Sequence, residues 1–480
     1  MVIILSESNP DKLVISFNFP PNKDISGIVV AKRIINDNSK VDVIHNVVKN
    51  TDEFKYDFSE DYINTRFTTS IDSKRDSIEC IFNFINQGLN LIDEKDYKEI
   101  YSRSWLMANH YLALEYKFRH PDVSWTAEFS DPVLKNMKGE IKSYKSSQLN
   151  DEEFINRANL KIKELDNDSF KLLENPNNTF YLAEYLTFLF SDEIIFTNEN
   201  QRKIMLEGYD DAIKQLVIGK SKIIPHPTLD EKYYHLSDNS IKLNEGDVNL
   251  AYFGKSFYTN RHFEALFFAF ESLNHKYKNK IKFHLFINRD EFLDTLIDDL
   301  EFKENIIVRK PLDYLEFLNC TLNFDVLLIT DTLTKDYFSV NPYLPSKLSD
   351  YLGSNKDIWA IYEKGSTLSS LDLKYKSDMT DFKQSGDVLL KILNDYGYAD
   401  SESSFDYGFY ERRINQLNRI IRNENKISNQ RKNKISKLTR ENKRLSKRIS
   451  KLNDEKAEIL SSTSWKITAP FRKLFSFIKR

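Results

Sequence analysis

Cysteine is almost absent from this 480-residue chain: Cys80 and Cys320 are the only two. They cannot build a disulfide framework or a four-thiolate zinc site, and they suit a reducing cytosol. Glycine and proline, at 12 each, are too sparse for a collagen-like or linker-rich chain. No apolar run approaches the ~20 residues that cross a bilayer. The apolar opening, Met1 to Ile4, lacks a basic lead and is soon broken by Glu7 and Asp11, so no export signal is read. The common catalytic signatures are missing too: no GxGxxG, no Walker A loop, no HExxH, no CxxC. Asp166, Asn167 and Asp168 form an acid-x-acid triplet that could hold a divalent metal. They sit in a charged stretch, not at a strand end, and read as solvated surface. No metal or cofactor is expected.

What the chain holds in quantity is apolar and charged surface. Hydrophobic residues make up 40% and aromatics 13%, enough for each of about two to four domains to bury a core. The formal net charge of −3 conceals a division. From Glu411 onward stand 21 Lys and Arg against 6 Asp and Glu, a net of +15. Positions 1–410 hold the other 48 basic and 66 acidic residues, a net of −18. An acidic body carries a basic tail suited to an anionic surface.

Short β-branched or aromatic runs alternate with amphipathic stretches through the body. The pattern predicts strands at Lys12–Phe17, Val41–His45, Glu99–Ser102, Ser124–Glu128, Glu193–Thr197 and Ser221–Pro225. Helices are expected between them at Gly27–Ile35, Asp76–Leu89, Trp105–Phe118 and Thr179–Phe190. Met137–Leu173, highly charged and without a strand pattern, is expected as a helical insertion in this first domain, 1–240. After a polar break at Asp230–Asp247 the alternation restarts. Strands are expected at Val248–Phe253, Ile281–Ile287, Asn305–Val308, Asp325–Ile329 and Asp357–Tyr362. Their helices are expected at Asn260–Lys278, Glu291–Leu300, Leu312–Leu318, Pro345–Leu352 and Gly386–Asp395. The fold class is therefore α/β, with two doubly wound Rossmann-like domains, the second at 241–408. Ligands of such sheets bind beyond the carboxyl ends of the strands, in the cleft between the units.

A third segment, 409–461, follows a heptad. Ile414, Leu417, Ile421, Ile435, Leu438, Leu445, Ile449, Leu452 and Ile459 fall on one a/d frame, which is polar at Glu424, Ser428 and Arg431. Asn442 takes an a position, where a buried amide fixes register in two-stranded coils. A coiled coil that makes a homodimer is expected, against a single long solvated helix. In the tail, 462–480, Phe471, Leu474, Phe475 and Ile478 follow Pro470 at helical spacing, flanked by Arg472, Lys473, Lys479 and Arg480. This basic amphipathic pattern fits an anionic membrane surface, or else a protein partner.

Chemistry-bearing residues gather where strands give way to helices. Gly27 ends the loop that begins at Phe19, where a ligand could approach a helix start. Gly254, Lys255 and Arg261 follow the first strand of the second unit, a glycine with two cations as a diphosphate needs. Ser346 and Lys347 open a helix and could hold an anion, with Asp350 one turn on to hold a hydroxyl-rich group.

The stretch Asn341–Gly353 (NPYLPSKLSDYLG), followed by Asp357–Ile361 (DIWAI), resembles the nucleotide-sugar segment of retaining glycosyltransferases of family 4. Those enzymes have the GT-B fold and often read P-S-K-L-x-E-Y-L-x-x-G-K-P-I there. Similar segments occur in the same order at Pro20–Gly27, Trp125–Pro132, Asp192–Glu199, Gly254–Arg261 and Phe324–Asp331, spanning about residues 12–365. The ending Ser464–Arg472 also looks like that of surface-polysaccharide glycosyltransferases with a coiled coil. The chain departs from the family at its two glutamates, where Pro342 and Asp350 stand.

The resemblance implies that Lys255, Arg261, Ser346 and Lys347 hold a diphosphate and Asp350 a ribose. His110 would be a sugar-cleft residue or a buried helix histidine. Asp131 would face the acceptor or cap the turn at Pro132. It further implies a metal-independent, retaining hexosyltransferase-type enzyme. The donor would be a nucleotide sugar and the acceptor a lipid-linked or polymeric cell-surface glycan. The tail would keep the enzyme cytoplasmic and peripheral on the inner membrane face. A catalytically silent GT-B scaffold in a glycan-assembly complex is the alternative. Nucleic acid is not an expected partner, because the Lys/Arg between Arg412 and Lys456 have no interleaved aromatics.

Overall fold

The structure, a computed structural model, describes residues 10–47, 53–54, 56–72, 77–104, 106–142, 152–174, 178–238, 241–254, 263–289, 297, 302–399, 407–468 and 472. The chain divides into two compact units, Met1–Phe405 and Asp406–Arg480.

Unit one holds two parallel sheets. The first comprises β1 (Lys12–Ile15), β2 (Val41–Asn46), β3 (Ile63–Thr69), β4 (Glu99–Ser104), β5 (Ser124–Phe129), β6 (Glu193–Phe196) and β7 (Ser221–Ile223). Its order is β3-β2-β1-β4-β5-β6-β7. The second comprises β8 (Val248–Phe253), β9 (Ile281–Phe286), β10 (Ile306–Arg309), β11 (Val326–Thr330), β12 (Asp357–Tyr362) and β13 (Tyr375–Asp378), in the order β10-β9-β8-β11-β12-β13. Each sheet is doubly wound: the order reverses beside its first strand, which sits centrally. The edge strands β3 and β13 lie outside the expected set. Polar residues outnumber apolar ones in both, so neither carries a buried apolar run.

Helices cover both faces because the central strands are apolar on both. Leu13 and Ile15 face one core, against α2 (Ile78–Ile92) and α3 (Met107–Arg119). Val14 faces the other, against α1 (Ile25–Asp37). This second core does not stop at the first domain. It continues from Val30 and Ile34 through Tyr233 and Tyr234 to Phe253, Phe317, Leu348 and Tyr351, so the two Rossmann-like domains share apolar packing.

Among the described residues of the expected insertion, 137–173, stands one helix, Glu152–Glu164, and the helix expected before β6 follows at Thr179–Phe190. The single helix expected over 260–278 is two, Glu264–Glu271 and His275–Lys278, because Asn274 leaves the helix and caps the second. Most of the helix expected at Glu291–Leu300 lies outside the described residues.

In unit two the backbone is helical without a break from Tyr407 to Ser461, through the polar positions 424, 428 and 431. Ile435, Leu438, Leu445, Ile449, Leu452 and Ile459 are exposed along it. Thr463–Ile467 follows as a short helix. The guanidinium of Arg472 stacks 3.6 Å from the Trp465 ring centre. Phe471, Leu474, Phe475 and Ile478 lie outside the described residues.

Candidate functional site

A cavity of about 1050 Å³ opens where the carboxyl ends of β8, β9 and β10 face the loop after β1 and the first turns of α1. Both domains build it. Phe253 and Phe286, stacked with ring centres 4.3 Å apart, give it an apolar wall with Phe317. Six cationic side chains line it: Lys23, Lys32, Arg289, Arg309, Lys310 and Lys347. Three carboxylates do so as well, Asp24, Asp313 and Asp350.

Each carboxylate already has a cation or backbone donors. Asp24 caps α1, its Oδ1 accepting from the amides of Ser26 at 2.9 Å and Gly27 at 3.2 Å. Lys23 reaches Asp313 at 2.7 Å. Lys32 reaches Asp350 at 2.7 Å. With its acids engaged, the cavity presents excess positive charge, a setting for an anion with apolar and hydroxyl-bearing parts.

Among the residues singled out in the sequence, Gly254, Ser346, Lys347 and Asp350 all line this cavity. Gly254 directly follows β8, and Ser346 is the residue before the helix Lys347–Gly353. Lys255 and Arg261 lie outside the described residues.

Gly27 is buried and serves packing rather than ligand approach. A Cβ there would stand 2.7 Å from the Asn18 carbonyl oxygen, so glycine lets α1 lie against the chain leaving β1. The α1 amides expected to meet a ligand anion are taken by Asp24.

His110 is the buried helix histidine, not a cleft residue. It is 1% exposed and set edge-on against Trp125 and Phe129. Its Nδ1 lies 2.8 Å from Ser102 Oγ. Burial, with Arg103 nearby, holds its pKa down at about 3. The ring is therefore neutral, with a single N–H, at pH ~7.

Asp131 is solvent-exposed but ringed by protein, which raises its carboxyl above the ordinary value against the pull of Arg103 and Lys142. It acts electrostatically on Tyr343, which the loop before the Lys347–Gly353 helix carries. It does not line the cavity.

Sequence reasoning missed a charged core beside the cleft. Glu128, fully buried, accepts from Arg33 Nε at 3.0 Å, Arg103 Nε at 3.0 Å and the Tyr101 hydroxyl at 2.8 Å. Burial alone would raise its pKa; Arg33 and Arg103 outweigh burial and hold it at about 2. His226, in the segment after β7, feels the same group: burial and then Arg103 lower it to about 3.

Pro342 stands where the resemblance would put a glutamate. Its carbonyl accepts from the Asn198 amide at 3.0 Å, a bond between the domains. Glu363 fixes the preceding loop through the amides of Thr334 at 2.9 Å and Lys335 at 2.6 Å and through Asn341 at 2.7 Å. Among the described residues no three His, Cys, Asp or Glu side chains gather as a metal site. No described helix is long and apolar enough to cross a membrane.

No family model matches the chain, and no curated protein matches its sequence. Solved structures match its fold. Sucrose-phosphate synthase from Thermosynechococcus elongatus has a TM-score of 0.50 at 12% identity, covering 86% of this chain and 99% of that one. A structure named as trehalose-6-phosphate from E. coli bound with UDP-2-fluoro glucose has a TM-score of 0.50 at 11% identity, covering 80% and 91%. An OtsA apo structure has a TM-score of 0.50 at 13% identity, covering 80% and 91%. The strand orders, the cavity at the strand ends and these likenesses together identify the fold as GT-B, two Rossmann-like domains followed in sequence by a long helix.

Proposed function

We propose that the chain is a glycosyltransferase that moves a sugar from a nucleoside diphosphate sugar to a lipid-linked or polymeric cell-surface glycan, with retention at the anomeric carbon. The observation that carries this reading is the cavity at the ends of β8–β10, with six cations against three engaged carboxylates. A nucleoside diphosphate is an anion with an apolar base and hydroxyls, which such a lining suits. One similar structure is described as bound with UDP-2-fluoro glucose, in keeping with that ligand class.

In this reading Lys347, Ser346 and the cations Lys255 and Arg261 stabilise charge on the departing diphosphate. The leaving phosphate oxygen takes the acceptor proton as the new glycosidic bond forms on the same face. Side-chain cations, rather than a divalent metal, are assigned the leaving-group charge. The exposed a/d row of the long helix supports a homodimer, and the basic tail supports a cytoplasmic enzyme held at an anionic inner membrane face.

The test is to incubate the full chain with a panel of nucleotide sugars, with and without cell-surface glycan acceptors, and to measure nucleoside diphosphate release. Acceptor-dependent release that Lys347→Ala or Arg261→Ala abolishes, with the fold intact, is expected. Normal rates in both variants would sink the assignment.

A second reading, a catalytically silent scaffold, has one observation in its favour. Pro342 replaces a glutamate and Asp350 is already paired with Lys32. Tight binding of a nucleotide sugar without turnover on any acceptor would select it.

A further inference from the structure

Asp350 and Lys32 both reach the cavity, but from different domains. Lys32 lies on α1 of the first, and Asp350 on the helix Lys347–Gly353 of the second. Lys32 is 1% exposed and Asp350 6%. The ammonium donates to Asp350 Oδ1 at 2.7 Å and to Ser349 Oγ at 2.8 Å. The Tyr314 hydroxyl donates to the same Oδ1 at 2.9 Å. The Tyr234 hydroxyl donates to the Asp350 backbone carbonyl at 2.6 Å, and a Cβ on Gly353 would collide with that hydroxyl.

Three groups thus hold Asp350. Asp350 Oδ2, by contrast, has no hydrogen-bond partner among the described residues. An ammonium with three donors and no acceptor can fix a carboxylate by one oxygen and leave the other to a ligand. Two buried charges of this kind persist only when each has the other, because an isolated one loses its hydration uncompensated. The arrangement therefore exists only while the two domains are apposed.

A carboxylate oxygen fixed at a cavity wall accepts a hydroxyl proton. It would repel the phosphates of the same ligand were its charge not offset. Lys32 supplies that offset and the geometry together.

We infer that Lys32 is a positioning residue for the ligand: reaching across from α1, it orients Asp350 so that Oδ2 accepts a hydroxyl of a nucleoside diphosphate sugar bound in the cavity. Recognition of that hydroxyl is then conditional on domain apposition. The inference rests on the reading of the cavity as a nucleoside diphosphate sugar site. The hydroxyl belongs either to the ribose or to the transferred sugar, and the experiment separates the two.

The test uses calorimetric titration of the full chain. The ligands are UDP, GDP and ADP, their 2′,3′-dideoxy forms, and nucleotide sugars with their deoxy-sugar forms. The wild type is expected to prefer the hydroxyl-bearing member of one pair by about tenfold or more, the scale of a hydrogen bond to a charged group. Preference in the dideoxy pair assigns the ribose; preference only in the deoxy-sugar pair assigns the sugar. Lys32→Met is expected to weaken both members of the pair, since the Asp350 charge is no longer offset, and to reduce their ratio to about threefold or less; Lys32→Arg is expected to restore part of the ratio.

Should Lys32→Met not fold, Ser349→Ala removes one of the two Lys32 bonds, and a smaller drop in the ratio is expected. An unchanged ratio in a folded Lys32→Met or Ser349→Ala protein overturns the inference, as does a wild type that binds nucleotides without any hydroxyl preference. A wild type that binds no nucleotide at all overturns instead the functional reading beneath it.

Discussion

Arg103 and Glu128 are register partners on the adjacent parallel strands β4 and β5, and their side chains meet at 3.0 Å with 3% and 0% exposure. Side chains directly across two strands point to the same face, so the register itself brings the charges together. Arg33 then approaches Glu128 from α1, making a two-cation clamp on one buried carboxylate.

Removing the carboxylate strands two guanidinium groups. Glu128→Ala is expected to cost about 3–5 kcal/mol, the range for breaking a buried ion pair. Urea denaturation monitored by tryptophan fluorescence measures it. A loss below about 1 kcal/mol would mean that solvent satisfies both arginines.

Acid should destabilise unit one in two stages. His110 and His226 are held at about 3, below the ordinary 6.5, so their contribution is complete above 6.5 and declines as pH falls toward 3. Glu128, at about 2 rather than 4.5, contributes fully above 4.5 and loses its contribution as pH falls toward 2. Thermal unfolding at intervals from neutral pH downward should show falling midpoints below 6.5, steeper below 4.5. In His110→Phe the first stage should shrink.

Glu184 carries the opposite sign. Burial raises its carboxyl from 4.5 to about 7, although the Tyr209 hydroxyl donates to it at 3.0 Å. The protonated form suits the fold, so stability is greatest below 4.5 and declines as pH rises through 7. Glu184→Gln should be more stable than wild type at pH ~8, by an amount on the order of 1–3 kcal/mol, and the advantage should vanish near pH ~4. Denaturant midpoints at the two pH values decide it.

Gly27→Ala places a methyl 2.7 Å from the Asn18 carbonyl oxygen, and both sides of that contact are backbone. A shift of α1 is the only relief. A loss of about 1–3 kcal/mol is expected, read as a lower thermal midpoint.

The exposed row of the long helix should be covered by a second copy. Glu441, Arg448 and Glu455 take the g positions of its frame and Thr439, Ser446 and Asn453 the e positions, so no like charges oppose each other in a parallel pair. Leu445→Glu with Leu452→Glu should convert the full chain from dimer to monomer in sedimentation. A monomeric wild type would refute the pairing.

The strands at the centre of each sheet were legible because a strand buried on both faces must be apolar throughout, as Leu13–Ile15 and Val326–Ile329 are. The edge strands β3 (INTRFTT) and β13 (YKSD) were not, because polar residues outnumber apolar ones in both and leave no apolar pattern to read. The heptad of the long helix was equally plain, because its repeat is local to one element. Of the candidate site, Gly254, Ser346, Lys347 and Asp350 could be found from strand-to-helix junctions, where the topology must place a ligand.

What the sequence alone determined is therefore periodic and local: α/β class, two domains, a long heptad helix, and the junctions that face the cleft. Only tertiary structure decided which charges meet. Lys32 and Asp350 stand 318 positions apart, and Arg33 and Glu128 95 apart, with no local pattern linking either pair. Burial also turned His110 from a cleft candidate into a core residue, and it gave Gly27 to packing. Periodicity reports which side of an element is apolar; the partner of a buried charge depends on how whole domains are apposed.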